Sequence, residues 1–294
     1  AVAAAPPDYG EITTNIDSSF HSTVTFSPLV QAGDSLVLVV TVGIRGDKSV
    51  SSVTYAGDNL TLAKAQGSGT TGGQRVEVWY LVNPDTGTND VVVTFAAGLN
   101  QSGVAAITYT GVNQVSPVGA TNGATGASTN PSVSLTTTYD DSLIVGGLSM
   151  RGGDTDPFTP GTGTTERFDM ATGTNKSQDD GYAGGEESAP TAGAHTFDFT
   201  ASVSDGFAIV AVELRGLSTP SVTTNAATSV NTTGATLNGN ITDGGSSTVT
   251  KRGFQYGLTT GYGDNFTETG SSSTGTFSTV LSSRTPPPPR HHRR

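Results

Sequence analysis

The 294-residue chain is acidic, with a formal net charge of −11, and contains no cysteine. The charge argues against nucleic acid or an anionic membrane surface as partner, and the missing cysteines exclude a disulfide framework and cysteine-based zinc sites. Hydrophobic residues make up 33% and charged residues only 13%, yet Val and Thr abound where a disordered chain would carry charge, so a folded β protein is expected.

The opening AVAAAPP reads either as the surroundings of a small-residue cleavage site or as a flexible extension over residues 1–8. From there, apolar stretches are short, rich in β-branched residues and closed by Gly, Pro, Asn or Asp. That pattern is expected of strands near 18–26, 35–43, 49–56, 59–64, 75–82, 90–96, 103–110, 131–138, 142–149, 164–169, 193–200 and 206–215. Leu36 to Val42, Val104 to Ile107 and Phe207 to Val212 are continuously apolar, as central strands buried on both faces would be. Other strands alternate. In RVEVWYLV, Val76, Val78, Tyr80 and Val82 share one face, and Glu77, Trp79 and Leu81 the other. In AHTFDF, His195, Phe197 and Phe199 share a face. No segment has a helical period, and no apolar run is long enough to span a membrane. The expectation is an all-β chain whose first domain, 9–216, is a large antiparallel β-sandwich of jelly-roll type. Two connections, about 112–130 and 151–192, read as long loops, where binding usually lives.

Residues 217–220 form a linker, after which a second strand series runs over 221–283. Here Ala235, Leu237 and Ile241 share one face, and Phe254 and Tyr256 another. The string TNAATSVNTTGATLNGNITDGGSSTVTKRGFQYG, with Leu237, Gly239, Gly253, Phe254, Tyr256 and Gly257, resembles a bacterial fibronectin type III-like module. The resemblance implies an Ig/fibronectin III-like sandwich that acts as a spacer or adhesive unit in secreted multidomain proteins. It also implies two further strands after GTFSTVLSS, where this chain turns instead into a Pro/Arg/His tail over 284–294. Four consecutive prolines cannot enter a sheet interior. The module therefore reads as lacking its last strands, through truncation or frameshift, through completion by a neighbouring subunit, or with the tail covering the open edge. In the first domain, VSSVTYAGDNLTLAKA, VEVWYLVNPDTGTNDVVVTF and VAAITYTGVNQVSPVG resemble an uncharacterised β-sandwich domain of secreted bacterial and environmental proteins. That family brings no catalytic residues to transfer.

Candidate chemistry is sparse. Outside the tail the histidines are His21 and His195, both inside strand patterns beside Phe, and no GxSxG elbow occurs. The Gly67–Gly73 stretch is a hairpin loop and not a phosphate cradle. Clustered acids in the 151–192 segment are the best metal candidates: Asp154, Asp156, Asp179, Asp180, Glu186 and Glu187 offer the hard oxygen donors that suit Ca²⁺. Asp140 and Asp141 form a second pair. For sugar stacking the candidates are the sole tryptophan, Trp79, next to Glu77, and Tyr182, whose surroundings look too polar to bury it. Six Asn-x-Ser/Thr sequons occur, at Asn59, Asn100, Asn175, Asn231, Asn240 and Asn265.

These features point to a secreted or surface-displayed structural or adhesive protein, not an enzyme. Its partners would be other copies or other surface proteins, with filament or surface assembly through a strand donated by the N-terminal segment Tyr9 to Phe20. The competing expectation is a carbohydrate-binding module of a secreted polysaccharide-degrading protein, with glycans as partners and Ca²⁺ ordering the long loop.

Overall fold

Branched and aromatic side chains pack well on a pleated surface, and most of the described stretches that alternate or run continuously in Val, Ile and Thr form strands. The computed structural model describes residues 5–69, 73–152, 158–173, 179–246, 249–257 and 261–282. Among them there is no helix, and every strand pairing between named strands is antiparallel. The chain divides into two compact units, Val2–Ser218 and the remainder from Thr219.

The first unit contains two halves. The N-terminal half has β1 (Asp8–Asp17), β2 (His21–Phe26), β3 (Leu29–Val30), β4 (Val37–Arg45), β5 (Val50–Tyr55), β6 (Asp58–Asn59), β7 (Thr61–Gly67), β8 (Gln74–Val82), β9 (Gly87–Thr88), β10 (Val91–Leu99) and β11 (Ser102–Thr110). The second half has β12 (Val118–Ser128), β13 (Ser132–Thr136), β14 (Ser142–Arg151), β15 (Thr159–Pro160), β16 (Thr164–Ala171), β17 (Asp180–Ala189), β18 (Ala194–Thr200) and β19 (Asp205–Leu214). The stretches 112–130 and 151–192, expected as loops, thus carry β12 and β15 to β17.

The first half pairs β1-β11-β4-β8-β7 in one sheet and β2-β10-β5-β6 in the other. The second half pairs β12-β19-β14-β17-β16 and β13-β18-β15. Leaving aside the extra two-residue strands β3, β6 and β9 of the first half, and counting the equally short β15 of the second, both halves have the same order. Counted from its own start, each runs first, eighth, third, sixth, fifth in the larger sheet and second, seventh, fourth in the smaller. This is a jelly-roll-like path, traced twice, with the fifth strand paired to the sixth in the larger sheet instead of to the fourth in the smaller. The sandwich class expected from the sequence holds, but four sheets are stacked where two were expected.

Three apolar layers separate the four sheets. Leu38, Val40, Val42, Ile44, Tyr55, Trp79 and Phe95 fill the first jelly roll. Ile144, Leu148, Met150, Phe197, Phe199 and Ile209 fill the second. Val37, Val39, Val76, Ile107, Tyr109, Val145, Val210 and Val212 join the two five-stranded sheets face to face. β4, β11 and β19 are buried on both faces for this reason, and each fully buried Val, Leu or Ile contributes about 1.5–3 kcal/mol.

The halves agree in detail. Gly46 and Gly152, which follow β4 and β14, have φ of 92° and 91°. Ser35 and Asp141, ahead of them, have φ of 54° and 52°. A bulge interrupts β1 between Tyr9 and Ile12, and β12 between Val118 and Thr121. Each bulge holds a glycine: a Cβ on Gly10 would lie 2.5 Å from Thr108 Oγ1, and one on Gly119 would lie 2.3 Å from Glu213 Oε2. The residue after each glycine donates its N–H to that same oxygen, Glu11 at 2.8 Å and Ala120 at 2.7 Å.

The second unit holds β20 (Ser221–Asn231), β21 (Gly234–Asp243), β22 (Val249–Tyr256), β23 (Asp264–Ser272) and β24 (Gly275–Ser282). β20-β21-β24 make one sheet and β22-β23 the other. Its core is thin. Ile241 and Phe277 are buried, Phe254 stacks on Phe277 at 4.9 Å, and Gly239 leaves room beneath both rings.

Candidate functional site

Trp79 lies on β8 facing the interior of the first jelly roll, 9% exposed. Its indole N–H donates to Glu77 Oε2 at 3.0 Å. Glu77, itself buried, also accepts from Arg75 Nε at 2.6 Å and from the Val50 amide at 3.2 Å through Oε1. This cluster satisfies a buried carboxylate, and it offers no ring to a sugar.

Tyr182 is a correction to the sequence reading. It is 1% exposed and belongs to β17, not to a loop. Its ring faces the first jelly roll, where it lies over Gly43 of β4 and Gly103 of β11. A Cβ on either glycine would come within 2.2 Å or 2.5 Å of the ring. The polarity of DGYAGGEE is misleading, because the glycines let neighbouring groups approach: Phe158 covers Gly181, Phe168 covers Gly184, and the Thr165 carbonyl covers Gly185.

The acids expected to gather around Ca²⁺ go separate ways. Asp154 and Asp156 lie outside the described residues. Asp179 accepts from Gln101 Nε2 at 3.2 Å. Glu186 is bound by the Arg167 guanidinium, which lies 3.8 Å above the Tyr9 ring, and this pairing raises the Arg167 pKa. Glu187 meets His195 Nδ1 at 2.8 Å. Among the described residues, no three His, Asp or Glu side chains converge in a way that could hold a metal ion. Asp140 accepts from the Ala192 amide at 2.8 Å, in a turn.

Asp180 is fully buried at the seam between the jelly rolls. Gln74 Nε2 donates to its Oδ1 at 2.8 Å, Ser149 Oγ donates to Gln74 Oε1 at 2.6 Å, and Arg45 Nη1 stands 3.7 Å from Oδ2. Burial pushes this carboxyl up to about 6, against the opposing pull of Arg45 and Gln74. In the repeat, Gln74 and Asp180 are equivalent: Gln74 pairs with Arg45, and Asp180 with Arg151. The seam therefore joins like positions of the two halves. Further out on β16, burial and the neighbouring Asp169 raise Glu166 to about 7.

A serine–histidine–acid chain was missed in the sequence, where its members stand far apart. Ser102 Oγ lies 2.8 Å from His21 Nε2, and Asp17 Oδ2 lies 3.5 Å from His21 Nδ1. The Ser19 carbonyl is closer to Nδ1, at 2.6 Å. Ser19 bonds to Asp17 and lowers its pKa. The order of contacts is that of a hydrolytic triad, but Ser102 is 1% exposed and its hydroxyl faces the core. It ties the start of β2 to the start of β11.

In the second unit two open grooves, of about 330 and 490 Å³, are lined by strand residues. The first runs along Lys251 to Gln255 and Asn265 to Thr267, and the second along Asn225, Ala226, Thr228, Asn238, Gly239 and Thr276 to Ser278. Neither brings together an acid and a base. β22 pairs with β23 on one side, and no described residue pairs with its other edge. Val222 on β20 stands opposite buried Ile241, yet it is 62% exposed.

No family model, curated protein or solved structure matches the chain.

Proposed function

We propose that the protein is an extracellular structural and adhesive subunit, in which a stiff double jelly roll carries a smaller β unit that makes the connection to its surroundings. One observation carries this reading: the second unit leaves the β22 edge unpaired among the described residues and leaves Val222 uncovered beside Ile241. Unpaired edges of this kind recruit strands. The strand order β20-β21-β24 over β22-β23 supports the likeness to a fibronectin III-like module with its first strands present. The Thr- and Gly-rich, charge-poor composition supports an exported protein.

The donor suggested by the sequence has to be dropped. Residues Tyr9 to Asp17 belong to β1, which pairs with β11 along its length and carries its own bulge glycine, so this segment is committed. The glycan-binding alternative loses both of its stacking residues to the core, and the exposed rings among the described residues, Phe20, Tyr139 and Tyr262, lie in three separate connections between strands.

The test is self-association of the purified chain, followed by light scattering from micromolar to millimolar concentration and by electron microscopy. Growth of oligomers or filaments with concentration is expected. A chain that stays folded and monomeric throughout would overturn the reading.

A further inference from the structure

We propose that the β22 edge of the second unit is a docking site for a single extended peptide strand, apolar at alternate positions and acidic on its outward side. The proposal rests on the assembly reading above and names the partner of that site.

The geometry restricts what can dock. Phe254 of β22 stacks on Phe277 of β24, and its ring also reaches the space above Gly239 of β21. β22 therefore runs above β21 and β24. Val222 and Thr224 of β20 face the same way as Ile241 and Gly239, and Val222 is 62% exposed, so the open side lies above β20. A strand added to the edge of β22 that no described residue pairs with would run above β21 and β20. A folded partner that brought its own second layer on that side would collide with β20. Pairing two β22 edges about a two-fold meets the same obstacle, because two three-stranded sheets would have to fit beneath two adjacent strands. A lone extended segment meets none. β22 spans eight residues, so the complementary segment is about eight residues, or roughly 26 Å, long.

The chemistry follows from the register. Arg252, Phe254 and Tyr256 point inward, because Arg252 covers the Phe277 ring and Phe254 stacks on it. Lys251, Gly253 and Gln255 point outward. Inward residues of an incoming strand would lie beside Phe254 and Tyr256 and above Val222, so they must be apolar. Outward residues would flank exposed Lys251, which favours acids. Arg252 is already paired with Glu268 at 2.6 Å, which leaves Lys251 as the charge that selects.

The experiment uses the full chain and the probe peptide acetyl-Thr-Val-Glu-Val-Thr-Val-Glu-Val-amide, labelled for fluorescence anisotropy, with a copy N-methylated at alternate residues as control. Binding is expected to protect the Gly253 to Gln255 region from hydrogen exchange, and N-methylation to weaken it about tenfold or more. Val222→Glu places a charge where solvent already reaches, so the melting temperature should stay within about 2 °C of wild type. The same variant should weaken peptide binding about tenfold or more. No binding at millimolar peptide, equal binding of the N-methylated copy, or full protection of the β22 edge before peptide is added would each overturn the proposal. If the chain assembles while Val222→Glu and the peptide change nothing, assembly stands and this site does not.

Discussion

Replacing Tyr182 by alanine tests whether the two jelly rolls are held as one body. The ring is 1% exposed and fills the space above Gly43 and Gly103, so its removal leaves a cavity at the centre of the seam. Buried aromatic-to-alanine changes cost about 3–5 kcal/mol. For a unit of this size that corresponds to a fall in melting temperature of roughly 6–20 °C. Tyr182→Phe removes a hydroxyl that has no hydrogen-bond partner among the described residues, so it should stay within about 1 kcal/mol of wild type or exceed it. Gly43→Ala drives a methyl to 2.2 Å from Tyr182 Cδ1 and should cost about 1–3 kcal/mol by overpacking. Combined with Tyr182→Ala, that methyl enters the new cavity, so the double variant should lose less than the sum, with a coupling of about 0.5–3 kcal/mol. Urea unfolding of the four variants supplies every number. A loss below about 1 kcal/mol for Tyr182→Ala, or strict additivity with Gly43→Ala, would refute the packing described.

Three further outcomes are expected. The Asp180 carboxyl is raised from 3.8 to about 6, so between those values the folded chain holds a proton that the unfolded chain releases, and stability falls as pH rises through that window. Asp180→Asn should match wild type near pH 4 and exceed it above pH 6 by at most about 3 kcal/mol, whereas a difference that ignores pH would contradict this account. Trp79 emission should be blue-shifted in the native chain, move to the red only on unfolding, and ignore added soluble polysaccharides; quenching by a glycan would revive the sugar-binding alternative. Ser102 should resist a fluorophosphonate probe in the folded chain, and stoichiometric labelling lost in His21→Ala would show that the buried triad opens.

The layered core was largely legible in the sequence. Leu36 to Val42, Val104 to Ile107 and Phe207 to Val212 run apolar without alternation, and the strands they form, β4, β11 and β19, lie inside five-stranded sheets covered on both sides. The alternation in β8 also holds: Val76 and Val78 face the seam, and Trp79 faces the first core. The repeat escaped notice because it is kept by backbone geometry more than by residue identity. Thr108 and Glu213 share no chemistry beyond an oxygen that can accept a bond from a bulge amide, yet they occupy corresponding places. The candidate site was misread for a related reason. Local polarity marks DGYAGGEE as a loop, whereas its glycines are sites of close approach to residues remote in sequence. Its acids are matched by Gln74, 106 residues from Asp180, by Arg167, 19 residues from Glu186, and by His195 on the next strand, and local polarity announces none of these pairings.

An exact two-fold pair sets each residue on the axis against its own copy. In such a dimer of second halves, Asp180 would confront another buried carboxylate; in a dimer of first halves, Gln74 would confront another amide. With both halves on one chain the two sides can differ, and here an amide meets an acid at 2.8 Å. The short stretch between β11 and β12 also makes the encounter intramolecular, so no dilution separates the partners. An untethered symmetric pair would come apart at low concentration, whereas this tethered pair stays joined at any concentration.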